Sequence, residues 1–367
     1  MADDFRFWVE PGTSIFSDSN NWSLTSGGPG GAPVPGNLQI AVFDRSGSGA
    51  CLLDQDINVN GIRMDAQYRG TLHQQDQTMT IGPGGMLFDG GSFEGGSAPI
   101  SSQGDVTVSN QFKNTSDTMF VDGANFEFGR DEPAFIDNII AEEIVLSQID
   151  IDNKYVLLSD TPAPSRIAVN VVKGTSQIYG LDFVVSGYEV NWDGLRLDGQ
   201  LAAGDRLRIL YIISLESGYS HNNGLVKIRS NNNTLLGRGI RFFDLEFTDS
   251  SRMLIDTSSF VENELFLTGP GGILAGDSTI YVLGDVSCAP GYGELTPQHK
   301  VAIEMQGFDP QSLFVGSGSV LPNFRVDKTS SRHIVAEGQG PIRINRDFLI
   351  QDGTFNSGGL DIVVGAV

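Results

Sequence analysis

The stretch Gly84–Gly96 reads GGMLFDGGSFEGG. A glycine pair sets a turn, Met86–Phe88 forms a short apolar strand, Asp89–Gly91 makes a polar corner, and a second strand begins at Ser92. The same order returns in GGILAGDSTIYVLGDVS at Gly271–Ser287 and in GTFNSGGLDIVVG at Gly353–Gly365. A chain that turns a corner every few residues and stacks each coil on the last needs small residues at its corners. It also needs Val, Ile, Leu and Phe facing a narrow core. The spacing between the three units is not constant. The pattern therefore predicts an all-β chain folded as an irregular right-handed parallel β-helix. Tandem jelly-roll or sandwich domains are the alternative arrangement of many short strands.

The rest of the chain follows the same grammar. QIAVFD (Gln39–Asp44), QTMTIG (Gln77–Gly82), DVTVS (Asp105–Ser109), STIYVLGDVS (Ser278–Ser287) and RDFLI (Arg346–Ile350) are short apolar or alternating runs bounded by Gly, Asn, Asp or Ser. Helical periodicity is nearly absent. NIIAEEIVLSQ (Asn138–Gln148) is the best helix candidate, but it is short and rich in β-branched Ile and Val, so a buried strand fits it equally.

With 367 residues, the chain exceeds one ordinary core unless the architecture is elongated. Its 46 glycines and 15 prolines mark many turns, and 40% hydrophobic residues suffice to bury a core. The formal charge of −22 opposes nucleic-acid binding and suits a soluble assembly. Cys51 and Cys288 are far apart, without metal-ligand spacing, and read as buried thiols. The opening MADDFRFWVE has no basic and apolar leader pattern, and no apolar run approaches a membrane span of about 20 residues. These features predict folding in a cytoplasm without membrane insertion.

Four regions follow. Residues 1–50 carry Trp8 and Trp22 ahead of a Gly/Pro loop at Gly27–Gly36, which predicts a cap over the first coil or a surface docking another protein. Residues 51–150 and 216–367 are solenoid. Residues 151–215 are denser in apolar runs: KYVLLS, RIAVNVV, the hairpin DFVVSGYEVNW turning at Ser186–Gly187, and GDRLRILYI. In the last, Leu207, Ile209 and Tyr211 alternate with Arg206, Arg208 and Leu210. This spacing predicts a small antiparallel β-sandwich inserted between two solenoid segments.

Within that insert, Gln177, Tyr179, Gly180, Asp182, Phe183, Val185, Gly187, Trp192, Gly204, Asp205 and Tyr211 fall in an order that resembles a small β module common in tailed-phage tail-fibre proteins. The resemblance covers about one-sixth of the chain. NNWSLTSGGPGGAPVPGN near the N-terminus and LPNFRVDKTS at Leu321–Ser330 are similar to segments of β-helical proteins encoded by phages and bacteria. The resemblance implies a virion structural component: a tail fibre, a tailspike or a capsid decoration. It supplies no active site.

The residues themselves offer little concentrated chemistry. His73, His221, His299 and His333 are scattered, with no HExxH spacing. Asp150 and Asp152 share a strand face if IDID is extended, and Asp54 and Asp56 do likewise. Such pairs suit glycoside cleavage, which uses two carboxylates about 5–9 Å apart, or Ca²⁺. Among 45 acidic residues such pairs are expected by chance, and a solvated acidic surface is the reading preferred for them. GGPGG (Gly27–Gly31) is followed by no helix, so neither phosphate fingerprint is supported. Asn21, Asn114 and Asn232 begin glycosylation triplets that read as turns. No catalytic, cofactor or metal residue is assigned and no cofactor is implied.

The sequence thus predicts a non-enzymatic virion rod assembled in the host cytoplasm. Expected partners are two further copies in a homotrimer, other tail, baseplate or capsid proteins, and a host surface glycan. A capsid cement protein and a β-helical polysaccharide-degrading enzyme are the alternatives. For the enzyme, Arg206 and Arg208 fall inside the insert rather than along a solenoid groove.

Overall fold

The Gly84–Gly96 unit folds as its sequence predicts: the strand Met79–Phe88 bends across one corner, and Ser92–Glu94 follows the next. The computed structural model describes residues 4–109, 111–128, 138–158, 167–171, 177–178, 180–186, 189–213, 219–229, 234–237, 240–248, 252–255, 257–270, 272–293, 300–307, 309–328 and 333–365. The chain divides into two compact units, residues 1–129 with 217–367, and residues 130–216.

The first unit is a parallel β-solenoid of about 12 turns, not a set of jelly rolls. Each coil has three faces. In one coil, Met79–Ile81 lies on the first face, Met86–Phe88 on the second and Ser92–Glu94 on the third. Register partners on successive coils are mostly 19–24 residues apart. Ile100 minus Met79 is 21, and Leu265 minus Leu245 is 20. Longer coils occur too: Leu313 lies 27 residues beyond Val286, and Gln39 lies 35 beyond Asp4. Neighbouring coils sit about 4.8 Å apart, the ordinary strand spacing.

Alternation inside each short strand points every second side chain inward. On the first face this builds one continuous column: Ile57, Met79, Ile100, Met119, Val226, Leu245, Leu265, Val286, Leu313 and Ala336 are successive register partners. All ten are buried. The third face carries an aromatic column. Phe93 stacks on Phe112 at 4.6 Å, and Phe112 on Tyr219 at 6.0 Å.

The N-terminal residues close the first coil. Asp4–Trp8 pairs in parallel with Gln39–Phe43 on one edge and antiparallel with Trp22–Ser23 on the other. Trp8 and Trp22 are fully buried, 5.3 Å apart and edge-on, and Trp22 Nε1 donates to the Phe16 carbonyl at 2.8 Å. Both tryptophan rings belong to the hydrophobic core of the solenoid. They are too deeply buried to form a docking surface.

The second unit contains two three-stranded antiparallel sheets. One is Asn138–Val145, Arg206–Ile213 and Ile167–Val171; the other is Tyr155–Leu157, Glu189–Asn191 and Val184–Ser186. Val169, Leu207 and Ile209 from the first join Val156, Val190 and Trp192 around the second in one core. The predicted hairpin is present as the pair Ser186↔Glu189. The predicted alternation holds at Leu207 and Ile209, both buried.

Two sequence expectations need correction. The insert starts before residue 151, because Asn138–Val145 pairs along its whole length with Arg206–Ile213. Its β-branched residues favour the strand over the helix candidate. IDID is not extended: it lies in the six-residue helix Gln148–Asn153. Ser147 caps that helix, and Asp150 completes a capping box with it.

Candidate functional site

Acidic residues are placed at solenoid corners, where a strand's first N–H lacks a ladder partner. Asp56 Oδ1 accepts from the Thr78 amide at 2.8 Å, Asp105 Oδ1 from Asn125 at 3.0 Å, and Asp285 Oδ1 from Ser312 at 2.7 Å. Asp244 Oδ1 accepts from the Glu264 amide at 2.9 Å and from Asn263 Nδ2 at 2.8 Å. In each case a carboxylate on one coil accepts from a main-chain N–H of the next. Part of the −22 charge is therefore structural. Asp244→Ala is expected to cost about 1–2 kcal/mol and to speed hydrogen exchange at the Glu264 amide. Unchanged exchange there would show that the bond does not hold the corner.

The predicted carboxylate pairs are not brought together as reactive pairs. Asp54 accepts from Ser17 N at 3.1 Å and Ser17 Oγ at 2.5 Å, while Asp56 serves Thr78. On a helix, Asp150 and Asp152 diverge instead of sharing a face. Asp150 is bonded to Ser147, and Asp152 accepts from Gln148 Nε2 at 2.8 Å.

The histidines lie apart. His73 faces outward on the third face between Leu52 and Glu94, and His333 begins a first-face strand opposite Thr354. His221 stacks on Phe243 at 5.6 Å. Its Nδ1 accepts from the Asn223 amide, which leaves Nε2 to donate toward Glu262, 3.2 Å away. His299 lies outside the described residues. Among the described residues no group of three or more His, Cys, Asp or Glu is placed to hold a metal ion. Nor is any helix there long and apolar enough to cross a membrane.

Cys51 and Cys288 are free and buried. Burial pushes the Cys288 thiol up to about 12 and the Cys51 thiol well above its ordinary value, so neither is poised as a nucleophile. In the GGPGG loop, the Gly28 and Gly31 amides donate to the carbonyls of Thr25 and Ser19, so they are not turned toward a phosphate. Asn21 and Asn114 are buried side chains, closed to glycosylation in the folded state. Asn232 lies outside the described residues.

Asp44, beside this loop, is a buried carboxyl. Burial works to raise its pKa, but hydrogen bonds from the Ser26 and Ser46 side chains and from the Ser46 amide at 2.7 Å outweigh it and hold it below the ordinary value of 3.8. A carboxyl held low in the folded state contributes stability at higher pH and loses it as pH falls through the carboxylate range. Acidification below about pH 4 is expected to loosen the first coil, seen as a change in Trp22 fluorescence. Asp44→Asn should flatten that pH dependence; an unchanged acid transition would assign it elsewhere.

The residues that carry the phage-module resemblance are core and turn positions. Phe183 and Trp192 are core. Asp182 Oδ2 accepts from the Ile178 amide at 2.7 Å, and Asp205 Oδ2 from Ala202 at 2.9 Å. Gly180 and Gly204 have φ of 78° and 94°. Tyr179, Gly187 and the side chain of Tyr211 lie outside the described residues. Arg206 pairs with Glu143 at 2.8 Å across the sheet.

The sequence gives no sign of the outward-facing columns that bind coil to coil. Arg229 forks onto both Asp122 oxygens at 2.8 Å and lies 4.4 Å over the Phe120 ring. Lys227 reaches Glu246 at 3.0 Å. Arg241 lies over Phe260, which stacks on Tyr281 at 4.9 Å. Their partners belong to other coils, so no local spacing reveals them. Lys328, wholly buried, donates to Gln311 Oε1 and to the carbonyls of Gln306 and Asp309. Gln311 in turn donates to the carbonyls of Val282 and Gly284, which makes a polar clamp between coils. Comparison with protein-family models, with curated proteins and with solved structures returns no match.

Proposed function

We propose that the protein is a structural component of a tailed-bacteriophage particle, a tail-associated fibre or spike acting as a rigid adhesive rod. The observation that carries this reading is the single hydrophobic core running from Trp8 to Ile344 through the solenoid. Strands lie across the rod and are hydrogen-bonded along its axis, so each rung is held to the next by several bonds side by side, and the stack leaves few edges for proteases. The acidic charge suits a protein packed at high copy in a particle. Carboxylates engaged in corner and cap bonds fit a scaffold better than a hydrolase. Such rods associate symmetrically, and a homotrimer presenting its surface to a host glycan is the working assembly.

Gold-labelled antibody against the chain, imaged on particles of the phage that encodes it, tests the assignment. Label on tails supports it. Label on heads alone moves the protein to a capsid decoration, and particles without label defeat the virion reading.

A further inference from the structure

The second unit enters the chain between the second-face strand Asn125–Phe128 and the third-face strand Tyr219–Ser220, where an uninterrupted coil would turn a corner. Phe112 and Tyr219 are register partners on adjacent rungs, with ring planes 9° apart, although they are 107 residues apart in sequence. The other faces close the same gap in step. Met119 pairs with Val226, also 107 apart, and Phe126 pairs with Leu235. Arg229 forks onto Asp122 across it.

The second unit, Arg130–Glu216, spans 216 − 130 + 1 = 87 residues. Taking 87 from 107 leaves 20, the length of an uninterrupted coil: Met119 lies 19 beyond Ile100, and Leu265 lies 20 beyond Leu245. The insert therefore adds to a complete coil without replacing any of it. Its core, centred on Trp192, Phe183, Leu207 and Ile209, is separate from the rod core.

We propose that this corner is an attachment port and that residues 130–216 form an autonomous head. The rod keeps its register whatever occupies the port, and the head unfolds and refolds without it. The head can then be exchanged or removed while the rod stays the same. The port does not depend on whether the rod belongs to a phage particle, so its failure and that of the virion assignment are separately visible.

Calorimetry on the full chain tests it. The expected result is two transitions. Trp192→Ala should lower one by about 10 °C or more, or abolish it, and leave the other within about 1 °C. Leu265→Ala, in the rod core, should do the reverse. Val190→Ala gives a milder head variant, and it too should move only the head transition. A single transition moved by both head and rod substitutions would overturn the proposal, as would loss of the rod transition in Trp192→Ala.

Discussion

Phe112→Ala is expected to destabilise the solenoid by about 3–5 kcal/mol, the largest effect of any single side-chain truncation along the third face. Phe112 is 1% exposed and sits between Phe93 at 4.6 Å and Tyr219 at 6.0 Å, with Phe88 edge-on at 5.1 Å. Truncation removes three ring contacts and leaves a void that neighbouring coils, fixed by their own hydrogen bonds, cannot fill. The site matters for a second reason: Phe112 is the rung onto which the chain must return after the insert. In a stack where each coil contacts only its neighbours, the damage stays local. Denaturant unfolding should show the loss, and hydrogen exchange should quicken first at Ser92–Glu94, Gln111–Lys113 and Tyr219–Ser220. Phe314→Ala is the control, because that outward ring is 45% exposed and should cost under about 0.5 kcal/mol. Equal losses for the two variants would mean that the inner column does not carry the stability assigned to it.

Gly284→Ala is expected to prevent the central coils from closing, at a cost above about 4 kcal/mol, and to leave the protein insoluble. An added Cβ would lie 1.6 Å from the Asn263 carbonyl oxygen and 2.5 Å from its carbon. Both are backbone atoms of the preceding coil, so no side-chain rotation relieves the clash. The same corner holds Asp244 bonded to Asn263 and Gln311 bonded to the Gly284 carbonyl. A shift there would break the bonds between coils as well. Gly291→Ala separates this effect from simple backbone strain. Gly291 has φ of 74°, but a Cβ there would meet nothing within 4 Å. Its substitution should cost only the left-handed conformation, about 1–2 kcal/mol, and leave soluble protein with a lowered urea midpoint. Soluble, fully stable Gly284→Ala would contradict the close approach of the two coils.

Taken alone, the sequence determined strand content, corner composition and the existence of an insert. Each rests on short-range physics: alternation within four or five residues puts Val, Ile and Phe inward, and glycine marks the bends. It placed the strands at Gln39–Phe43, Val106–Val108 and Thr279–Val282. It left Asn138–Val145 open between helix and strand and put it in the solenoid, and it read Asp150–Asp152 as extended, because a strand's sheet and a short helix's cap depend on partners elsewhere: Arg206–Ile213 for the one, Ser147 for the other. The corner carboxylates were legible as acidic residues but not as bonds. Only the tertiary structure decided which face each strand joins, which coil each Asp serves, and that Trp8 and Trp22 close the core. Partners in a solenoid lie one full coil away, or 107 residues away where the insert intervenes. A pattern that repeats every two residues carries no record of that distance.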